Sequence, residues 1–166
     1  MAVHRPQKCD KPNDMTHPRR LLFVTGTRAD FGKLNPLATA ARAAGHDVRF
    51  FVTGMHLMDR YGLTRIEVER DWGAACTEYA NQSEGDPQDQ ILANTILGFS
   101  EHCRMAKPDL VIVHGDRVEA LACALVCATN YIRCAHIEGG EVSGTIDELF
   151  RHCNTCLLYT SDAADD

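Results

Sequence analysis

The chain has 166 residues, enough for one domain with a sizeable core and too few for two full ones. Hydrophobic residues make up 45% and charged residues 24%, a globular composition that excludes wholesale disorder. No apolar run approaches the roughly 20 residues of a membrane-spanning helix, and the formal charge of −6, without a basic cluster beyond the first turns, argues against nucleic acid as the main partner.

Residues 1 to 19 are polar and broken by Pro6, Pro12 and Pro18, and read as a disordered leader. Met15 is a possible true start, and Asp10 and Asp14 weigh against a transit peptide. From Leu21 the pattern alternates. Leu21 to Thr25 is a short apolar run, the mark of a strand buried on both faces. A loop, Gly26 to Lys33, leads to helical spacing at Leu34, Leu37, Ala38, Ala41 and Ala44, with Gly45 as the stop. Asp47 to Thr53 is a second strand, and residues 55 to 61 a short helix. Residues 64 to 80 are ambiguous, with room for another short strand. Leu92, Ile96, Phe99 and Cys103 mark a long helix that stops before Pro108. Asp109 to His114 is the clearest strand, Val118 to Thr129 an apolar helix, Ile132 to Glu138 the last clear strand, and a further helix begins at Asp147. This alternation predicts an α/β fold: a Rossmann-like parallel sheet with helices on both faces.

Eight cysteines raise the question of a disulfide framework. The N-terminus lacks a secretion-signal layout, and Cys123, Cys127 and Cys134 lie in apolar segments, so buried free thiols and a cytoplasmic location are the better reading. Cys153-x-x-Cys156 is a single pair without a partner at zinc-finger spacing, and no metal is expected.

Parallel sheets bind ligands at the carboxyl ends of their strands, so the loops after strands are where chemistry belongs. Gly26 to Lys33 is not a Walker loop, because five residues separate its glycines and Leu34 follows the lysine. It is a glycine-framed turn carrying Arg28 and Lys33, readable as a diphosphate site at a helix start or as a βα turn with solvated charges. In His114-Gly-Asp-Arg117, Gly115 permits a sharp turn, and Asp116 and Arg117 face the crevice, unless they form a salt bridge or Asp116 caps the next helix. His136 to Asp147 gathers three carboxylates, a histidine and three glycines into twelve residues. Glu138 is placed to point into the crevice, where burial or a neighbouring carboxylate would raise its pKa. Asp147 also suits a helix cap, Glu141 a solvated loop and His136 a satisfied core position.

Taken together, Thr25-Gly-Thr-Arg-Ala-Asp-Phe-Gly-Lys-Leu34, Gly54-Met-His-Leu57, Pro108-Asp-Leu-Val-Ile-Val-His-Gly-Asp-Arg117 and His136-Ile-Glu-Gly-Gly-Glu-Val-Ser-Gly-Thr-Ile-Asp147 resemble the hydrolysing UDP-N-acetylglucosamine 2-epimerases. The resemblance runs in order from about Leu21 to His152, and its EGGEVSGT stretch is similar to the hydrolysing branch. It implies the N-terminal domain of a GT-B type fold, with the active site between two Rossmann-like lobes. It implies elimination of UDP to a 2-acetamidoglycal and rehydration with inversion at carbon 2, giving N-acetylmannosamine for sialic acid synthesis. Relatives with this signature act on UDP-diacetylbacillosamine-type sugars. By resemblance, Asp116, Glu138 and Asp147 match the catalytic acid–base carboxylates, and Arg28, Asp30 and Arg117 match positions lining the nucleotide-sugar site. The resemblance implies no cofactor, neither metal nor nicotinamide. It implies a UDP-sugar substrate, no membrane partner, and a homo-oligomer in the intact protein.

After His152 the resemblance ends, and residues 153 to 166 read as a non-native tail. The expected organisation is therefore a leader (1–19), an N-terminal domain (20–152) and that tail. Such a fragment is expected to be inactive alone. A GT-B glycosyltransferase domain and a nucleotide-sugar binding module are the alternatives.

Overall fold

A computed structural model describes residues 17–139, 144 and 146–158, without the side chains of residues 146 and 147. The expected leader as far as residue 16 and the expected tail from residue 159 lie outside the described residues. Five strands, β1 (Arg20–Thr25), β2 (Asp47–Val52), β3 (Cys76–Glu78), β4 (Leu110–His114) and β5 (Cys134–Ile137), form one sheet in the order β3-β2-β1-β4-β5. Every pairing is parallel, with Phe23 opposite Phe50 on one side and Ile112 on the other. The helices are α1 (Arg28–Ala43), α2 (Arg65–Trp72), α3 (Gln88–Ala106), α4 (Val118–Thr129) and α5 (Ile146–Leu157).

The strands are apolar throughout because both faces are covered. Leu22, Val24, Phe51, Val111 and Val113 point to one face, against Phe99 and Cys103 of α3 and Ala120, Cys123, Val126 and Cys127 of α4. Their neighbours Phe23, Phe50, Val52 and Ile112 point to the other, against Phe31, Leu34 and Ala38 of α1 and Val68 and Trp72 of α2. The two-residue period of a strand thus sorts one hydrophobic run into two cores. Cys103, Cys123 and Cys127 are buried as free thiols, and burial pushes Cys103 up to about 12.

The expected elements are present, with four differences. First, α1 starts at Arg28 rather than after Lys33. Thr27 accepts from the Asp30 N–H at 3.2 Å while Asp30 accepts from the Thr27 N–H at 2.9 Å, a reciprocal cap that nucleates the helix early. Arg28, Asp30 and Lys33 therefore project from helical turns rather than from a loop. Second, residues 54–57 and 59–61 form two separate 3₁₀ turns instead of one helix, the second closed by Gly62 at φ +79°. Third, the ambiguous stretch holds α2 as well as the short edge strand β3. Fourth, α5 continues through Cys153 to Leu157, with Asn154 fully buried, so the expected junction at Cys153 leaves no break in the helix.

Candidate active site

The strand order reverses direction between β1 and β4, and the chain leaves these two strands toward opposite faces of the sheet. That divergence opens a crevice at their carboxyl ends. Asp30 enters it from the capped start of α1, His114 from the last position of β4, and Glu138 from the residue after β5. These three meet. The Nδ1 of His114 lies 2.9 Å from Asp30 Oδ1, and its Nε2 lies 3.0 Å from Glu138 Oε2. Lys33 Nζ donates to the other oxygen of Glu138 at 2.8 Å. Asp30 Oδ2 accepts from the Gly26 and Thr27 N–H groups at 3.2 and 2.9 Å. The result is a continuous polar chain from the turn after β1 across the sheet to the turn after β5.

Two backbone features shape this edge. Gly115 has φ +72°, which turns the chain sharply between His114 and Asp116. Glu138 has φ +62°, a left-handed conformation that a side chain with a Cβ rarely adopts, costing on the order of 1–3 kcal/mol. His136 donates from Nε2 to the Gly115 carbonyl at 2.5 Å, tying the two turns together. Its Nδ1 is buried without a hydrogen-bond partner. A Cβ on Gly139 would come within 2.8 Å of that nitrogen, so glycine is needed there. His136 is thus only half satisfied, not the fully satisfied core histidine expected.

The remaining charges pair in ways the sequence did not suggest. Asp116 pairs with Arg151 of α5, not with Arg117, and the residue capping α4 is Arg117, without a side-chain bond. Arg117 Nε lies 3.4 Å from the buried carboxylate of Glu119, close enough for an ion pair but without hydrogen-bond geometry. Arg28 is exposed on the rim and pairs with Glu67 at 3.2 Å. The backbone of Asp147 lies in the first turn of α5, and its side chain is outside the described residues, as is Glu141.

The electrostatics correct one expectation. Glu138 is held below the ordinary carboxylate range, first by the hydrogen bond from Lys33 and, against the opposing effect of burial, by the charges of His114 and Lys33; it is not raised. The nearest carboxylate, Asp30, is separated from Glu138 by the His114 imidazole, so the groups in contact with Glu138 are Lys33 and His114 rather than a second carboxylate. His114 is raised above its usual value, first by its hydrogen bond to Asp30, against the effect of burial, with the charges of Asp30 and Glu138 adding to it. His136 is lowered by burial.

Of the six residues singled out from sequence, Asp30 and Glu138 converge directly. Asp116 and Arg117 follow β4 on the same edge, and Arg28 stands at the rim. His114, Arg151 and Glu119 were missed. The signal for His114 was its position as the one ionisable residue of an otherwise apolar strand, at the crevice end. Arg151 carried no local signal, since its partner lies 35 residues earlier. Two surface hollows of about 260 and 370 Å³ lie at the opposite edge of the sheet around Arg20 and Pro108, away from these groups. Among the described residues, no cluster of three or more His, Cys, Asp or Glu is arranged to hold a metal ion.

A doubly wound parallel sheet with an acid–imidazole–acid chain at its switch point defines a Rossmann-like domain, here of the kind that forms the N-terminal lobe of GT-B folds. The family model described as UDP-N-acetylglucosamine 2-epimerase matches residues 39–159, past His152, where the sequence resemblance was expected to end. The chain belongs to the UDP-N-acetylglucosamine 2-epimerase family. The UDP-N-acetylglucosamine 2-epimerase of Neisseria meningitidis serogroup B is 46% identical over 142 residues, covering 85% of this chain and 38% of its own. A hydrolysing UDP-N,N'-diacetylbacillosamine 2-epimerase of Legionella pneumophila is 37% identical over 146 residues, covering 85% and 38%. Among solved structures, the UDP-GlcNAc 2-epimerase of Methanocaldococcus jannaschii superposes with a TM-score of 0.72 at 22% identity, over 84% of this chain and 37% of that one. A Neisseria meningitidis UDP-GlcNAc 2-epimerase bound to UDP-GlcNAc gives 0.69 at 22% identity, over 84% and 38%. At that identity these two establish a shared fold. The chain spans under two fifths of the length of these relatives. No helix among the described residues is long and apolar enough to cross a membrane.

Proposed function

We propose that this chain forms the N-terminal lobe of a hydrolysing UDP-N-acetylglucosamine 2-epimerase. The enzyme removes the proton on carbon 2, expels UDP from carbon 1 to leave a 2-acetamidoglycal, and adds water back with inversion at carbon 2. The products are N-acetylmannosamine and UDP. The observation that carries the reading is the gathering of Glu138 and Asp116 at adjacent strand ends of a chain in this family, with Glu138 strained and held by Lys33 and His114. An elimination needs acid–base groups poised on the two sides of the bond being broken. Asp116, Glu138 and Asp147 are the groups we assign to that work. Arg28 and Arg117 would stabilise the charge developing on the leaving diphosphate. Asp30, both of whose oxygens already receive donors from the chain, lines the site by holding its framework.

A second reading, a UDP-diacetylbacillosamine-type substrate, is favoured by the 37% identity to the Legionella enzyme and 30% identity to the Campylobacter jejuni GDP/UDP-N,N'-diacetylbacillosamine 2-epimerase. Incubating the intact enzyme with each sugar nucleotide in deuterated water decides. Release of UDP with deuterium at carbon 2 of the free sugar is the expected outcome, and the preferred substrate selects between the two readings. UDP release with protium retained at carbon 2 would instead mean a transferase or a simple hydrolase.

A further inference from the structure

The role of His114 is the step beyond this reading, and it rests on Glu138 working on the substrate. His114 touches both Asp30 and Glu138, its side chain is 8% exposed, and little water reaches it to replace either partner. Asp30 cannot turn away, because its second oxygen is bound by the Gly26 and Thr27 N–H groups at the capped start of α1. An oxygen receiving two N–H donors is an acceptor, so Asp30 accepts from the Nδ1–H of His114 and sets the ring's orientation. The Nε2 is then aimed at Glu138, whose backbone is in the left-handed region and gains from every contact that keeps it there. Lys33 grips the other oxygen of the same carboxylate, from the exposed side.

We propose that His114 is a positioning residue of the epimerase reaction: clamped by Asp30, its Nε2–H holds Oε2 of Glu138 and fixes that carboxylate for proton transfer to and from the substrate. The charged groups facing the imidazole are Asp30 from α1 and Glu138 after β5, with Lys33 beyond Glu138 and His136 beside it on β5. No proton leaves the pair in the resting state. The imidazole carries both N–H groups, and Glu138 is the ionised acceptor.

The test is His114→Gln and Asp30→Asn in the intact enzyme, with Glu138→Gln in parallel. His114→Gln should lower kcat about 10- to 100-fold with KM within about threefold, as misplacement of a reacting group does. It should also move the acid limb of the pH–kcat profile upward, because Glu138 has lost a cationic donor. Asp30→Asn should reproduce the same split in weaker form. Wild-type kcat and an unmoved pH profile in a folded His114→Gln variant would overturn the proposal. If that variant fails to fold, nitrogen-15 NMR of the wild-type imidazole takes its place: both ring nitrogens protonated at neutral pH is expected, and a bare Nε2 sinks the idea. Should Glu138→Gln itself turn over normally, the parent reading fails. If it is inactive while His114→Gln is unimpaired, only this inference fails.

Discussion

Glu138 and Asp116 follow paired strands, one held by Lys33 and His114 and the other by Arg151. Removing the charge from either should be far more damaging to turnover than to folding. Glu138→Gln and Asp116→Asn in the intact enzyme are expected to cut kcat about 10²- to 10⁴-fold, measured as UDP release. Turnover within a few-fold of wild type would refute the assigned roles. Gly54 tests a different kind of constraint. Its φ is +62°, and a Cβ there would lie 2.7 Å from Glu119 Oε1 and 2.9 Å from the Gly26 carbonyl. Gly54→Ala should therefore lose roughly 1–3 kcal/mol in denaturant titration, whereas Gly45, with φ +90° and open space around it, answers to backbone strain alone.

The histidines set the pH dependence, and their signs differ. His56, His102 and His136 are each lowered by burial from 6.5. His56 shows why: it is fully buried, with Thr25 Oγ1 2.8 Å from Nε2 and Thr64 Oγ1 2.7 Å from Nδ1, a neutral ring satisfied on both sides. As pH falls below about 6.5 the unfolded chain binds protons that these rings resist, so stability drops. His114 is raised, so its contribution is complete below about 6.5 and is lost as pH climbs through the folded value. Glu138 is lowered from 4.5, so its contribution is present above that value and is lost in acid as pH falls through the folded one. Tm should peak near neutrality and decline on both sides. His114→Gln should flatten the alkaline decline and leave the histidine-driven fall below about 6.5 in place. A Tm that rises steadily from pH 5 to pH 9 would contradict this.

At the scale of elements, the sheet is held by ring packing on the α1–α2 face. Phe50 touches Phe23, Phe31 and Trp72 at centroid distances of 5.5, 5.6 and 4.9 Å. Trp72 is itself fixed by donating to Asn35 Oδ1 at 2.8 Å and by the Arg42 guanidinium 4.0 Å above its ring. Phe50→Ala should cost about 3–5 kcal/mol, read from the urea midpoint. The start of α1 links stability to the site. Thr27→Ala removes the cap and should cost about 0.5–2 kcal/mol. Because Asp30 is the other half of that cap, the same change should loosen the His114 clamp and lower kcat. A stability loss with unchanged kcat would separate the cap from the site.

The elements were legible because their signals are local. Val118–Thr129 appears as read, and β1, β2 and β4 fall within a residue of their expected ends. The boundary of α1 was misplaced because apolar periodicity begins at Leu34, while the helix is started by a polar pair, Thr27 and Asp30, that periodicity does not weigh. The region from 55 to 61 was read as one helix because its composition suits one, but Met58 takes an extended conformation that divides it into two turns, and Gly62 at positive φ ends the second.

At the scale of the whole molecule, the chain spans under two fifths of the length of its relatives, and its crevice lies at the carboxyl edge of the sheet. The two hollows around Arg20 and Pro108 lie at the other edge of the sheet from Glu138 and Asp116. On the proposed reading, a second lobe supplies desolvation and much of the substrate grip. The 166-residue chain is therefore expected to release no UDP from UDP-GlcNAc above background in a coupled UDP assay. Measurable turnover would show that one lobe suffices.

Chain order alone was enough to give the architecture and the edge of the sheet where chemistry gathers, because hydrophobic period and post-strand composition are properties of neighbouring residues. It could not give the pairings. Asp30 and His114 are 84 residues apart, Lys33 and Glu138 are 105 apart, and Asp116 reaches Arg151 in a helix three elements later. Such contacts exist only once β1, β4 and β5 lie side by side in register. Whether Glu138 titrates high or low then depends on which groups that register brings within hydrogen-bond reach, and here they are a lysine and a histidine, which hold it low.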